Sequence, residues 1–391
     1  MKNKSQLSTK RFKLTSNYLD IFKKDIYLFD LTYLLRISCI SLFTTLIFIT
    51  VYQVVKPQQQ YSKNTTKKAL QNLVNKSAKD NSFKLTDNQL VELSETKLPN
   101  RKKLAYNVIV QPQIRQSQDL QKTVNRVVQL ASNKGLPTTS LSVTLIDLKS
   151  GEEASYQQEV PRYPASVVKL FWLVMLQAQL KQENLSGDKL LNLDLQKMIK
   201  KSDNEAASRI LDRITNTQSG SNLNSREFKI WLDKRKQTNT FFMNAGYENL
   251  DISQKTFPIP YLKLDSPQGR ELQMRQNPDK PIRNKITTKQ TSRLMYEIVN
   301  KQAVSSDTSS KMLDLLSIDA ATRINNRANK DPNIFNNVRG FFSQSLPNNI
   351  YFVAKAGWTS KSRGETAYIA SSDRKIQYIL TIFAEKRYFI L

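Results

Sequence analysis

Tyr163-Pro164-Ala165-Ser166-Val167-Val168-Lys169 runs without interruption into Leu170-Phe171-Trp172-Leu173-Val174-Met175-Leu176. Pro164 suits the start of a helix, and the residues that follow are apolar on nearly every side, as in a helix buried within a larger core. Ser166 then stands at the helix N-terminus, with Lys169 one turn on along the same face. The free N–H groups and positive end of the helix would favour an oxyanion there. Ser is also a good N-cap, so this pair alone does not choose between a cap and a nucleophile.

The flanking elements read outward from that helix. Residues 118–132 place Leu120, Val124, Val127, Val128 and Leu130 at helical spacing. Leu141, Val143 and Leu145 alternate with Ser142, Thr144 and Ile146 as in a strand, and Lys149-Ser150-Gly151 makes a turn. Residues 194–214 read as a second helical stretch, and 288–316 hold at least two more helices. Segments 350–354, 366–370 and 376–384 are strand-like, the last two linked by Ser372-Asp373-Arg374. Strands at both ends with helices between them predict an α/β (α+β) domain whose antiparallel sheet draws on both ends and carries helices on its faces.

The bulk numbers bound the function. The 391 residues carry 60 Lys and Arg against 33 Asp and Glu, a formal charge of +27 that suits an anionic lipid, cell wall or nucleic acid. No dense basic helix interleaved with aromatics is present, so nucleic acid is not an expected partner. Cys39 is the single cysteine, so no disulfide forms within the chain. There is no histidine at all. That excludes a Ser-His-Asp triad and His-ligated zinc, and a hydrolase built on this chain needs a lysine to activate its nucleophile.

Residues 37–55 are 19 uncharged, Ile-, Leu-, Phe- and Val-rich positions. As a helix they span roughly 28 Å, close to a hydrocarbon core. No small-residue cleavage pattern follows, which favours an uncleaved transmembrane anchor over a signal peptide. Residues 1–36, with eight Lys and Arg against three Asp, read as a cytoplasmic basic segment, and 56–103 as a polar spacer. The globular domain is then 104–391. The expected location is the inner membrane, crossed once, with the domain on the extracytoplasmic, periplasmic side.

Two further motifs follow the first. Ser202-Asp203-Asn204 lies in the second helical stretch, and Lys355-Ala356-Gly357 ends a strand. Each alone is weak, and Ser372-Asp373-Arg374-Lys375 is a decoy S-x-x-K in a turn. Their order and their settings carry the weight. S-x-x-K, S-D-N and K-T-G mark class A β-lactamases and penicillin-binding proteins, and residues 116–391 resemble that penicillin-recognising serine hydrolase family.

The resemblance implies an antiparallel sheet with a helical subdomain and the active site between them. It implies Ser166 as the nucleophile of an acyl-enzyme and Lys169 as its general base. Ser202 would relay a proton to the leaving nitrogen, Asn204 would bind Lys169 and the substrate amide, and Lys355 would add positive potential. The N–H groups of Ser166 and Trp358 would form the oxyanion hole, and Ala356, Gly357 and Thr359 would line the substrate. No metal or organic cofactor is implied.

Three departures qualify this. Ala356 lacks the hydroxyl with which the family holds a substrate carboxylate, and Arg363 is the nearby charge that could compensate. Only 36 residues separate Ser166 from Ser202. The family's deacylating glutamate, followed four residues on by Asn, is not found: Glu227, Glu248 and Glu271 all lack that Asn, and Glu248-Asn249 is the nearest imitation. The expected function is a serine β-lactamase-type hydrolase acting on β-lactams or related cell-wall amides. A D,D-carboxypeptidase or penicillin-binding protein acting on peptidoglycan peptides is one alternative, and a non-catalytic basic wall-binding module is another.

Overall fold

The computed structural model describes residues 104–277, 279–327, 340–344 and 346–385. The basic segment, the apolar stretch 37–55 and the spacer to 103 lie outside the described residues. Among the described residues no helix is long and apolar enough to cross a membrane.

Short strand β1 (Arg115–Gln116) leads into helix α1 (Gln118–Asn133), strands β2 (Leu141–Asp147) and β3 (Glu152–Tyr156), and helix α2 (Lys169–Lys181). Helices α3 (Lys189–Lys200), α4 (Asn204–Thr215), α5 (Ser225–Met243) and α6 (Gly269–Gln273) follow, then α7 (Thr288–Val299), α8 (Ser306–Leu316) and α9 (Ala320–Arg327). Strands β4 (Ile350–Trp358), β5 (Ser362–Ser371) and β6 (Gln377–Glu385) close the domain. The six strands lie in the order β1-β3-β2-β6-β5-β4, so the first and last parts of the domain share one sheet, as expected. Every pairing is antiparallel except the two-residue contact of β1 with β3, which is parallel. β4 is an edge strand.

α2 is the centre of the core. Ten of its thirteen residues are buried, so it presents no solvent face, and sequence hydrophobicity alone located it correctly. Each large apolar side chain removed from water there contributes about 1.5–3 kcal/mol. Trp172 anchors the long loop after α5 by donating its Nε1–H to the Ile252 carbonyl at 2.7 Å.

The stretch 194–214 is not one helix. α3 and α4 are separate, and the break falls on Lys201-Ser202-Asp203. Ser202 takes a left-handed φ of 52°, and Asp203 caps α4 by accepting from Ala206 N at 2.7 Å. Buried Leu195, Met198, Ile199, Ala206 and Ile210 continue the apolar pattern across the break, which is why periodicity did not show it.

Candidate active site

The turn before α2 is tight. Ala165 sits at φ 45°, and residues Ala165–Val168 form a 3₁₀ turn ahead of the α-helix proper. Ser166 is therefore half-buried on a turn, not on the α-helix itself, and its hydroxyl makes no hydrogen bond among the described residues. β4 presses against this turn. A Cβ added at Gly357 would lie 2.5 Å from Pro164 O and 2.6 Å from Ser166 N, so only glycine allows the approach. Thr359 N donates to Ser362 O, and the antiparallel alternation then directs the neighbouring Trp358 N–H away from β5, toward the outer edge of the sheet. Ser166 N lies against Gly357, and the Trp358 N–H is borne by the next residue of the same strand.

The three motifs converge on Ser202. Lys169 Nζ donates to Ser202 O at 2.6 Å and Asn204 Oδ1 at 2.8 Å, and lies 3.5 Å from Ser202 Oγ. Lys355 Nζ donates to the same Ser202 Oγ at 2.9 Å and to Ala356 O at 2.8 Å. The strained backbone of Ser202 makes this possible: it turns the carbonyl to one lysine and the hydroxyl to both. Residues 33 and 153 positions apart in the chain thereby share one hydrogen-bonded cluster.

Both lysines are buried, at 0% and 2% exposure, and neither forms an ion pair within 4 Å among the described residues. Burial, and next the charge of Lys355, hold the Lys169 ammonium well below its ordinary value, with Asp203 opposing. Burial likewise lowers Lys355 to about 7, and Glu365 opposes that shift. A lysine held below its ordinary value loses its proton more readily and is better suited to act as a general base.

The remaining expected residues fall out as follows. The Thr359 hydroxyl closes the β4–β5 turn, accepting from Lys361 N at 3.1 Å and Ser362 N at 2.9 Å. Arg363 faces Trp358 across the strands, its guanidinium 5.9 Å from the indole centroid. Ala356 borders a cavity of about 270 Å³ shared with Lys200, Lys201 and Asp319. Glu248 borders a different cavity, with Glu159, Lys285 and Lys289, that none of the three motifs reaches. Glu227 lies exposed in the first turn of α5. Glu271 is pinned by Arg235 Nη2 at 3.0 Å. Among the described residues no cluster of three or more acidic or cysteine side chains offers a metal site.

The sequence reading did not find Glu365. It is 1% exposed, on β5 opposite Ala356, and burial raises its carboxyl to about 7. Nothing in the strand's own residues signals that Phe341 N and Phe342 N, from a distant part of the chain, cover this carboxylate.

A sheet edge closing on a Ser turn, with two buried lysines sharing one serine, makes this cluster the candidate active site. The profile of the beta-lactamase enzyme family matches residues 119–388, and the chain belongs to that family. No curated protein matches the chain. Solved structures similar to it include PBP-A, 16% identical over 71% of this chain and 91% of that one, with a TM-score of 0.46. A beta-lactamase from Sphaerobacter thermophilus DSM 20745 is 15% identical over 68% and 89%, TM-score 0.46. A point mutant of PBP-A, solved as its acyl-enzyme complex with penicillin G, is 16% identical over 70% and 90%, TM-score 0.45.

Proposed function

We propose that the chain is a serine hydrolase acylated at Ser166 by β-lactams or related cell-wall amides. The observation that carries this reading is the convergence of Lys169, Asn204 and Lys355 on Ser202 beside the Ser166 turn. Neutral Lys169 takes the Ser166 proton as Oγ attacks the amide carbonyl. Ser166 N and Trp358 N hold the oxyanion, each such donor being worth about 3–4 kcal/mol in other hydrolases. Ser202, hydrogen-bonded by Lys355, passes a proton to the leaving nitrogen. The test is covalent labelling of the full chain by a penicillin followed by intact mass. An adduct in the wild type that is absent in Ser166→Ala is expected, and equal labelling of the two would sink the reading.

One observation favours a long-lived acyl-enzyme, as in a penicillin-binding protein acting on peptidoglycan peptides. Glu227 is exposed on α5, Glu248 lines a cavity that none of the three motifs reaches and Glu271 is bound by Arg235. No hydrogen bond or ion pair among the described residues joins any of them to the Ser166 cluster. On this reading the adduct persists for hours and D-alanine is released from a muropeptide. Rapid adduct loss with accumulating hydrolysed penicillin would return the balance to a β-lactamase. Tethering by residues 37–55, with the domain outside the cytoplasm, completes the proposal. Protection of the domain from protease in intact cells that also lack an outer membrane would contradict it.

A further inference from the structure

The cavity that Glu248 borders measures about 510 Å³, within the range of small-molecule sites, and no residue of the three motifs lines it. Gln111, Gly246, Lys285 and Arg293 lie on its wall with Glu248. We propose that this cavity binds an α-amino acid as its zwitterion, with the carboxylate on Arg293 Nη1 and the ammonium on the Glu248 carboxylate. The proposal does not depend on the acyl-enzyme reading above.

Arg293 is the residue that points to a ligand. It is only 7% exposed, and its guanidinium is fixed on three sides. Nε donates to Glu297 Oε1 at 2.7 Å, Nη2 donates to Val108 O at 3.0 Å, and the Tyr247 ring centroid lies 4.3 Å from Cζ. Nη1 makes no hydrogen bond among the described residues. Glu297 is committed elsewhere, its Oε2 accepting from the Tyr106 hydroxyl at 2.7 Å and the Tyr247 hydroxyl at 2.6 Å. A Cβ at Gly246 would stand 3.5 Å from Nη1 and 3.0 Å from Gln111 Nε2. Glycine at φ 78° thus leaves both donors facing the cavity with no side chain between. A buried guanidinium with open N–H groups is costly as packing alone, and a carboxylate is the partner its shape suits best.

The charges around the cavity set the class of ligand. Lys289 is matched by Glu159 at 2.5 Å, and Arg293 by Glu297. Lys285 and Glu248 remain, neither with an ion pair within 4 Å among the described residues. The wall is therefore balanced in charge, with an open cationic donor beside Gly246 and an open carboxylate two residues along the same loop. A simple anion would meet the repulsion of Glu248, and a simple cation that of Arg293 and Lys285. A zwitterion satisfies both signs. The rim is held in register: Lys285 and Asp251 exchange two backbone hydrogen bonds at 2.8 Å, and Gln290 Nε2 donates to Glu248 O at 2.5 Å.

The test is calorimetric titration of the full chain at low ionic strength with alanine, N-acetylalanine and alaninamide. Each derivative deletes one charge of the zwitterion and keeps the side chain. Alanine should bind, and each derivative should bind roughly tenfold more weakly or worse, for the loss of one charge-assisted hydrogen bond. Glu248→Gln should weaken alanine by a similar factor and leave N-acetylalanine unchanged or tighter. Arg293→Gln should weaken alanine and spare alaninamide. Binding of none of the three would mean that solvent alone serves the Arg293 guanidinium, and would overturn the proposal. So would either derivative binding as tightly as alanine, which would mark a site for a single charge. If Arg293→Gln does not fold, because Glu297 has lost its partner, the exposed Glu248→Gln and the two derivatives decide. Alanine binding unchanged in Glu248→Gln then overturns the assignment.

Discussion

Among the described residues lysines are buried in two places, and their surroundings differ. Lys255, in the loop after α5, meets Asp212 Oδ2 at 2.5 Å and Ser219 Oγ at 2.8 Å. Arg235, also fully buried, bonds Asp212 and Glu271 at 3.0 Å each and lies 4.6 Å from the Trp231 centroid. Two cations thus face two anions, with Thr217 taking the Arg235 Nε–H at 2.9 Å. In the Ser166 site, by contrast, Lys169 and Lys355 meet only neutral oxygens within hydrogen-bonding distance. Burial lowers the Lys255 ammonium as well, but Asp212 and Glu271 oppose that shift, and the matched charges tie elements together. A buried cation matched only by hydroxyl, amide and carbonyl oxygens surrenders its proton readily, which is useful to chemistry and costly to the fold.

Breaking each cluster should separate these roles. Lys169→Met should lower acylation by roughly a hundredfold or more, the typical weight of a general base. Its melting temperature should hold or rise, because a buried amine whose proton the fold disfavours disappears. Lys255→Met should do the reverse. It leaves Asp212 and Glu271 with one cation between them, and removing one partner of a buried pair costs about 3–5 kcal/mol. The surviving folded enzyme should keep its acylation rate and pH profile. Thermal melts and labelling rates on the two variants check both expectations, and a loss of stability in Lys169→Met equal to that in Lys255→Met would erase the distinction.

The distinction can also be sharpened at the sheet edge. Gly357→Ala would drive a methyl into Pro164 O and Ser166 N, with overpacking of this kind costing about 1–3 kcal/mol. The expected signature is a larger loss in acylation rate than in penicillin affinity, since on the proposed mechanism the displaced Ser166 N serves the oxyanion and not the ground state. Matching losses in both would place the damage in general packing.

How much of this the sequence disclosed follows from what kind of signal each part carries. α2 was legible because its apolar residues run on all sides, and the three motifs because they are defined by residue type and order. The break at Lys201-Ser202-Asp203 was not, since the apolar period continues through it. α5 was missed because Arg235 and Thr238 occupy interior positions, and polar side chains at core sites erase a helical pattern. Glu365 was missed for a related reason. Its burial comes from residues 340–344, which reach it from another part of the chain, and from the sheet order, neither of which is local.

The finest test of the comparison is the pH dependence of stability, because its two components oppose each other. The Glu365 carboxyl titrates near 4.5 in an unfolded chain and about 7 in the fold. Between those values the folded state holds more protons, so this group's contribution to stability falls as pH rises. Lys355 titrates at about 7 in the fold and 10.5 when unfolded. Over that window the unfolded state holds more protons, and stability rises with pH. The pair should therefore weigh most heavily on the fold near pH 7, where both side chains are most nearly charged together. Melting temperatures of the wild type and a Lys355→Met, Glu365→Gln double variant at pH 5, 7 and 9 read this out. The variant's advantage over the wild type should peak at the middle value. A flat difference across the three would mean that the two groups do not titrate in the fold over this range.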